Sequence, residues 1–505
     1  MADGTAAKTV TEHFDVLIVG AGLSGIGAGW HLQANSPDRS YVILEGREAI
    51  GGTWDLFRYP GIRSDSDMYT LGYSFKPWRE AKAIADGPSI LKYVRETASD
   101  NGIDKHIRYG HQVKSAAWSS EAACWTVEAL RSDGQTVRIT ANFVFLCGGY
   151  YSYKGGYTPD FPGASAFKGQ IVHPQKWPEG LDYAGKRVVV IGSGATAVTL
   201  VPEMAKTAGH VTMLQRSPTY VVSRPAEDAM ANKLRERLPA KLAYALIRWR
   251  NVLFGMWFFR LARNKPEVVK KNIIDMVRAQ LGPDYDVGKH FTPSYNPWDQ
   301  RLCLVPDADL FEAIKAERAS VVTNHIETFT KAGIKLKSGA ELPADIIVTA
   351  TGLNLQVMNG LKVTVDGRTV DPGQTLSYKG MMYEDVPNLA SSFGYTNASW
   401  TLKCDLTCEY VCRLLNHMKR TGLRQVTPRN NDPSIERQPW LDFSSGYVQR
   451  AMEKFPKQGS KAPWKLHQNY ALDLMSLKYA KLEDGTLEFS NPRQANAKAR
   501  EKVAA

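Results

Sequence analysis

The sequence predicts an α/β chain with two Rossmann-like dinucleotide-binding domains and a helical insert. Three observations predict it. A short apolar strand running into a glycine-rich turn occurs twice, as FDVLIVGAGLSG near the N-terminus and as VVVIGSGATA ending at Ala197. Each is followed by a helix-forming run and then a further strand, the βαβ rhythm of a parallel sheet. From Ala226 to about His290 that rhythm stops, and the chain becomes helix-prone, basic and apolar together.

Length and composition frame this reading. A chain of 505 residues exceeds what one ordinary core uses, so two or three domains are expected. Hydrophobic residues make up 43% and aromatic residues 10%, enough for substantial cores. The net charge of +12 suits nucleic acid, an anionic membrane surface or phosphate-bearing cofactors. Without an RNA- or DNA-binding module in the sequence, no nucleic-acid partner is expected. The opening MADGTAAKTVTEH has no apolar segment of the secretory kind, and no stretch of ~18 apolar residues follows anywhere, so a cytoplasmic protein is expected. None of the six cysteines forms a C-x-x-C pair. Cys404, Cys408 and Cys412 would share one helix face; buried packing is the better expectation than a metal site, because no His lies at zinc-binding spacing.

In the first unit, Phe14–Val19 reads as a buried parallel strand. Gly20, Gly22 and Gly25 follow at G-x-G-x-x-G spacing, for a tight turn, a close backbone approach to pyrophosphate and close helix–strand packing. The helix from about Leu23 to Ala34, opened by Ser24, aims its first amides at phosphate. The strand Tyr41–Leu44 ends in Glu45, placed to accept from ribose hydroxyls. A helix at Ser89–Asn101, a strand near Gln112–Trp118 and a buried strand at Asn142–Cys147 return to the same sheet.

The second unit has strand Arg187–Ile191 and then Gly192, Ser193, Gly194, Ala195, Thr196 and Ala197, a G-x-G-x-x-A turn. Its next strand, His210–Leu214, ends not in an acid but in Gln215, Arg216 and Ser217. An acid there would repel a 2′-phosphate, whereas Arg216 pairs with one, so NADP is expected over NAD.

Two further stretches carry a family resemblance. One is GGTWDLFRYPGIRSD, with Gly51, Gly52, Thr53, Trp54, Tyr59, Pro60, Gly61 and Asp65. The other is FKGQIVHPQKWP, with Phe167, Gly169, His173, Trp177 and Pro178 spaced F-x-G-x-x-x-H-x-x-x-W-P. Together they resemble the signatures of type I Baeyer–Villiger flavin monooxygenases, and with YNPWDQRLC and GYTNASW they resemble the ethionamide-activating branch of that family. Read on residue chemistry alone, a lone His beside a Trp is more often a packed linker residue than an acid or base. The resemblance covers about Asp15 to Leu482.

The resemblance implies FAD at the first site and NADPH at the second, with O2 and a small ketone or thioether as partners. It implies that Gly52, Thr53 and Trp54 pass the flavin ring, that Val113 offers backbone to the adenine, and that Trp400 walls the nicotinamide pocket. It places Arg301 at the reacting centre with Asp65 holding its guanidinium. Many family members carry Lys before that Arg; here it is Gln300, which leaves more of the phosphate recognition to Arg216. The implied chemistry is insertion of one oxygen atom beside a ketone carbonyl, giving an ester or lactone, with S-oxidation as a side activity. The rivals are an N- or S-oxygenating flavin monooxygenase and a flavoprotein scaffold at a membrane surface.

The expected division is an FAD-binding domain from residues 1–150 and 352–490, and an NADP-binding domain from 151–222 and 300–351. The helical insert is 223–299, and 491–505 is expected to be a disordered basic tail. For the insert, KLAYALIRWRNVLFGMWFFRLARNK admits two readings, an amphipathic segment on anionic lipid or a substrate-side subdomain burying its aromatics in its own core. The second is the favoured expectation.

Overall fold

The computed structural model describes residues 12–492. The tail predicted for 491–505 lies outside the described residues from 493 onward.

Among the described residues the first sheet has eleven strands. One end of it is parallel: Ile107–Arg108 at the edge, then Tyr41–Leu44, Glu12–Val19 and Thr136–Leu146 lie side by side in that order. Val16 stands opposite Tyr41 on one side and Phe143 on the other. Side chains alternate across the sheet, so Val16, Ile18, Ile43 and Phe145 enter one core while Leu17, Val19, Leu44 and Leu146 enter another. That two-sided burial is why these strands read as unbroken apolar runs. Thr136–Leu146 continues antiparallel through Cys124–Arg131 to His111–Ser119. On the first face the helix Leu23–Asn35 packs against the long helix Trp400–Thr421, through Ser24 with Cys404, His31 with Asp405 and Ser36 with Asn416. Cys408 and Cys412 are buried in this core as free thiols, and Cys404 is a buried free thiol against Ser24.

The chain returns to this sheet late. Leu389–Ser391 pairs in parallel with Thr136–Leu146, and Lys362–Val365 with His111–Ser119.

The second sheet is wholly parallel, in the order Ala319–Thr323, His210–Gln215, Arg187–Ile191, Ile346–Thr349 and Gln170–Val172. Its edge strand comes from the FKGQIVHPQKWP stretch, which is therefore part of the sheet rather than a free link. A three-stranded antiparallel sheet, Ile326–Phe329, Gly333–Leu336 and Glu341–Pro343, closes one face over Phe167, Val189 and Ile191.

Two chain segments cross between the sheets, and they are hydrogen-bonded to each other. Tyr157 N–H donates to the Gly352 carbonyl at 2.9 Å, Ser152 N–H to the Asn354 carbonyl at 2.8 Å, and Thr351 Oγ1 to the Tyr157 carbonyl at 2.6 Å.

The insert forms helices Ala229–Arg237, Ala240–Asn264, Pro266–Leu281 and Val287–His290. The longest buries Ala243, Tyr244, Ile247, Arg248 and Val252 against the first domain. Arg248 donates to the carbonyls of Tyr69 and Gly72 at 2.8 and 2.7 Å, and Tyr244 to that of Tyr73 at 3.0 Å. The expectation that the insert buries its aromatics in a core of its own holds only in part: Phe258 packs with Ala262, Val269 and Ile273, but Trp249, Phe254 and Trp257 are exposed. A helix laid on a domain surface buries one stripe, and this helix is apolar on more than one.

Candidate active site

A cleft of about 560 Å³ opens at the C-terminal ends of the first parallel strands, where open α/β sheets bind their ligands. Val19, Gly20, Gly22 and Ser24 line it from the first turn, Leu44 and Glu45 from the next strand end, and Cys147, Gly148 and Gly149 from a third. Thr53, Trp54 and Asp65 line it from the GGTWDLFRYPGIRSD loop, Val113 from the antiparallel strands, and Trp400 from the start of its helix. Ala195, Thr196 and Arg301 close it from the second domain.

The glycines are set by local sterics. Gly20 has φ +99°, and a Cβ there would stand 2.7 Å from the Gly148 Cα. Gly25 supports the Gly20 carbonyl so closely that a Cβ would lie 1.9 Å from it. Gly22 differs, since the nearest atom to an added Cβ is the Gly52 Cα at 3.5 Å, and the space in front of it belongs to the cleft. Glu45 is buried; its carboxylate accepts from the amides of Ala21 at 2.8 Å and Arg47 at 3.0 Å. Burial outweighs those bonds and pushes its pKa up.

Arg301 donates to Asp65 at 2.7 Å. Arg301 precedes the strand Cys303–Pro306, which pairs with Val221–Arg224. Asp65 follows Ser64, whose amide is fixed to the Ala85 carbonyl at 2.9 Å. Both side chains are about a third exposed, 36% and 37%, and that exposure is toward the cleft they both line. Burial opposes the Arg301 charge, but Asp65 and the nearby hydroxyls of Tyr150, Tyr447 and Tyr151 more than offset it and hold the guanidinium well above its ordinary pKa.

Sequence reasoning missed Tyr150 and Tyr151. They follow the Gly148–Gly149 strand end and line the cleft with hydroxyls 3.1 Å apart. The Tyr150 ring stacks on Trp400 at 5.3 Å, and Trp400 Nε1 donates to Ser24 Oγ at 2.8 Å. Burial first and Tyr447 second push Tyr151 up to about 12, and burial first and Tyr151 second raise Tyr150 as well, so both are neutral donors. The GGYYSY run was the available signal. Arg63 was also missed; it lines the cleft and forms a two-pronged ion pair with Asp309 of the second domain. So was Asp55, buried and gripped by Arg47 at 2.6 Å with Arg58 and Arg95 beyond.

Not every predicted residue lines this cleft. Gly192, Ser193, Gly194, Arg216 and Ser217 form their own group at the second sheet's strand ends, joined where Ser193 Oγ donates to the Ser217 carbonyl at 3.1 Å. A Cβ on Gly194 would meet nothing within 4 Å, and Arg216 is exposed with no ion-pair partner among the described residues. Ala197 is buried beneath them.

The fingerprint residues stand elsewhere again. Phe167 is buried in the second domain, and a Cβ on Gly169 would lie 2.2 Å from the Asp345 carbonyl. Trp177, ahead of Pro178, packs on the core of the second sheet. His173 Nδ1 accepts from Gln175 N–H at 3.1 Å, and Nε2–H donates to the Gly352 carbonyl at 3.2 Å. Both ring nitrogens are spent on backbone, and the ring sits where the two crossing segments meet.

A family profile described as flavin-binding monooxygenase-like matches residues 77–247, and one described as an NAD(P)-binding Rossmann-like domain matches 18–84. The FAD-containing monooxygenase EthA of Mycolicibacterium smegmatis is 55% identical over 487 residues, covering 96% of this chain and 99% of that relative. The chain belongs to the FAD-containing monooxygenases. The probable FAD-binding monooxygenase AlmA of Acinetobacter baylyi is 50% identical over 480 residues, 95% of this chain and 96% of the relative. Among solved structures, an oxidised steroid monooxygenase bound to NADP shares the fold at TM-score 0.75 and 23% identity, covering 95% of this chain and 100% of that one. An open cyclohexanone monooxygenase does so at 0.72 and 22%, with the same coverage.

This monooxygenase is therefore an FAD-containing flavoenzyme, and two structures that share its fold hold NADP. Its residues fit both groups. The open face of Gly22 and the buried acid Glu45 suit a flavin dinucleotide, and the unobstructed Gly194 with the unpaired Arg216 suits a phosphorylated nicotinamide dinucleotide.

Proposed function

We propose that this monooxygenase transfers one oxygen atom from O2 to a position beside a ketone carbonyl, giving an ester or lactone, with oxidation of thioethers as a secondary activity. The observation that carries the reading is the Arg301–Asp65 pair, a fixed guanidinium facing the cleft at 2.7 Å from its carboxylate. When bound, NADPH and FAD supply the electrons and activate the oxygen. Arg301 stabilises the negative charge that builds on the carbonyl oxygen as the ketone is attacked, an electrostatic role that gains strength in a water-poor site. Asp65 keeps the planar fork aimed into the cleft. Tyr150, stacked on Trp400, and Tyr151 narrow the same wall, exclude water and offer neutral O–H donors. Arg216 selects NADPH by its 2′-phosphate. The enzyme acts in the cytoplasm.

The test is a product screen with linear, cyclic and aromatic ketones and one thioether, with NADPH consumption and chromatography read together. Ester or lactone formation coupled to NADPH use supports the reading. Sulfoxide as the sole product across the screen favours the N- or S-oxygenating alternative. Flavin binding without coupled product favours the scaffold.

A further inference from the structure

The outward face of the helix Ala240–Asn264 is built for a surface that none of the described residues supplies. Leu242, Leu246, Trp249, Leu253 and Trp257 recur at three- and four-residue steps along it, and all are exposed, Leu253 by 57% and Trp257 by 58%. The opposite face is the one that binds the first domain. Trp249 also touches Tyr470 at 5.7 Å, which joins the stripe to the segment carrying exposed Leu472, Met475 and Tyr479. The helix has 25 residues and so spans about 37 Å. Its mixed sequence cannot cross a bilayer, and no described helix is long and apolar enough to do so. It can lie in the plane of an interface.

Charge identifies the partner. The helix contains no acidic residue. Three of its cations are engaged: Arg248 with Asp405 and carbonyls, Arg250 with Asp228, and Arg263 with Asp299 and Asp442. Lys241 and Arg260 are exposed at the two ends of the stripe, without a carboxylate partner among the described residues. Arg224 reaches over the Phe254 ring at 5.0 Å along one edge. An apolar stripe with two tryptophans, bracketed by free cations on a chain of net charge +12, matches an anionic lipid surface. A second copy of the chain would bring the same unpaired cations face to face.

We infer that this face is a docking surface for an anionic bilayer, on which the helix lies in the interface with Trp249, Leu253 and Trp257 among the acyl chains. The inference is independent of the reaction proposed above.

The experiment is co-sedimentation of the FAD-loaded enzyme with phosphatidylcholine vesicles with and without phosphatidylglycerol, at low and high salt. Wild type is expected to pellet with the anionic vesicles at low salt and to be released at high salt. Trp249→Ser/Trp257→Ser is expected to weaken partitioning by about a hundredfold, and Lys241→Glu/Arg260→Glu by about tenfold. Because these side chains are exposed, the variants keep their fold, which retained FAD absorbance checks. Trp249→Phe/Trp257→Phe is expected still to pellet while losing most of the tryptophan quenching by brominated lipid. Wild type remaining in the supernatant with anionic vesicles at low salt would overturn the inference. So would equal pelleting and quenching in every variant, or a dimer seen by light scattering that the Ser variant dissociates, which would make the face a copy-to-copy interface.

Discussion

Asp65 and Arg301 stand 236 positions apart in the chain and 2.7 Å apart in space. One belongs to a loop of the first domain and the other to the start of a strand that pairs with the end of the second, so the pair exists only when both domains are folded and apposed. If this pair carries the oxygenation, Arg301→Ala removes the charge and Arg301→Lys keeps it without the planar fork. Arg301→Ala should cut ester formation by about 10²–10³-fold while FAD still binds, and Arg301→Lys should recover little. Asp65→Ala should lower the same step by roughly ten- to a hundredfold through misaim alone. Stopped-flow flavin absorbance with NADPH and O2, together with ester chromatography, separates reduction from oxygenation. Wild-type ester yield from Arg301→Ala would remove it from the mechanism.

Gly20 and Gly22 should behave differently despite sharing one motif. A side chain on Gly20 collides with Gly148 and demands a left-handed backbone, so Gly20→Val should lose soluble folded protein. Gly22→Val meets no protein atom closer than 3.5 Å at its Cβ, so it should fold and purify colourless. The check is circular dichroism beside flavin absorbance. A yellow, fully occupied Gly22→Val would place the flavin elsewhere.

If NADPH sits at the second turn as proposed, Arg216 is the charge offered to its 2′-phosphate, and Gln300 adds none. Arg216→Ala should raise KM for NADPH by about ten- to a hundredfold, the loss of one charge-assisted contact, and leave KM for NADH nearly unchanged. Steady-state kinetics with both cofactors decides it; equal effects would detach Arg216 from the phosphate.

His173 gives a pH dependence. Burial disfavours its charged form and lowers its folded pKa below the ordinary 6.5. The unfolded chain then binds the extra proton more readily, so stability is full above about pH 6.5 and is lost as pH falls from there toward the folded pKa. The stability difference between wild type and His173→Asn should be constant above that point and narrow below it. Urea unfolding across the pH range measures it, and a difference that stays flat through the acid limb would mean His173 is protonated at no cost.

The parts of this molecule legible in the sequence are those that local rules dictate. Gly20 and Gly192 mark turns because only glycine takes their φ, and Val16 to Val19 announce a two-faced strand because every position is apolar. Arg301 has no such local mark; its neighbours could be any surface turn, and only resemblance singled it out. Tyr150 and Tyr151 were passed over because two tyrosines after a strand end satisfy packing equally well. The long insert is legible as helix, but composition does not say which of its aromatics find a core: Tyr244 and Phe258 do, whereas Trp249, Phe254 and Trp257 do not.

The late return of Leu389–Ser391 to the first sheet has a consequence for how the chain is made. The second sheet is assembled from strands between Gln170 and Thr349, so every strand of it has been synthesised before Lys362–Val365 and Leu389–Ser391 can complete the first. On the ribosome the middle of the chain can close its sheet while the earlier part waits with the side of Thr136–Leu146 that later receives Leu389–Ser391 unpaired. Such an edge is the feature that chaperones cover and that aggregation exploits. Truncations that end before residue 389 should therefore accumulate as insoluble material, even though they hold both glycine-rich turns intact.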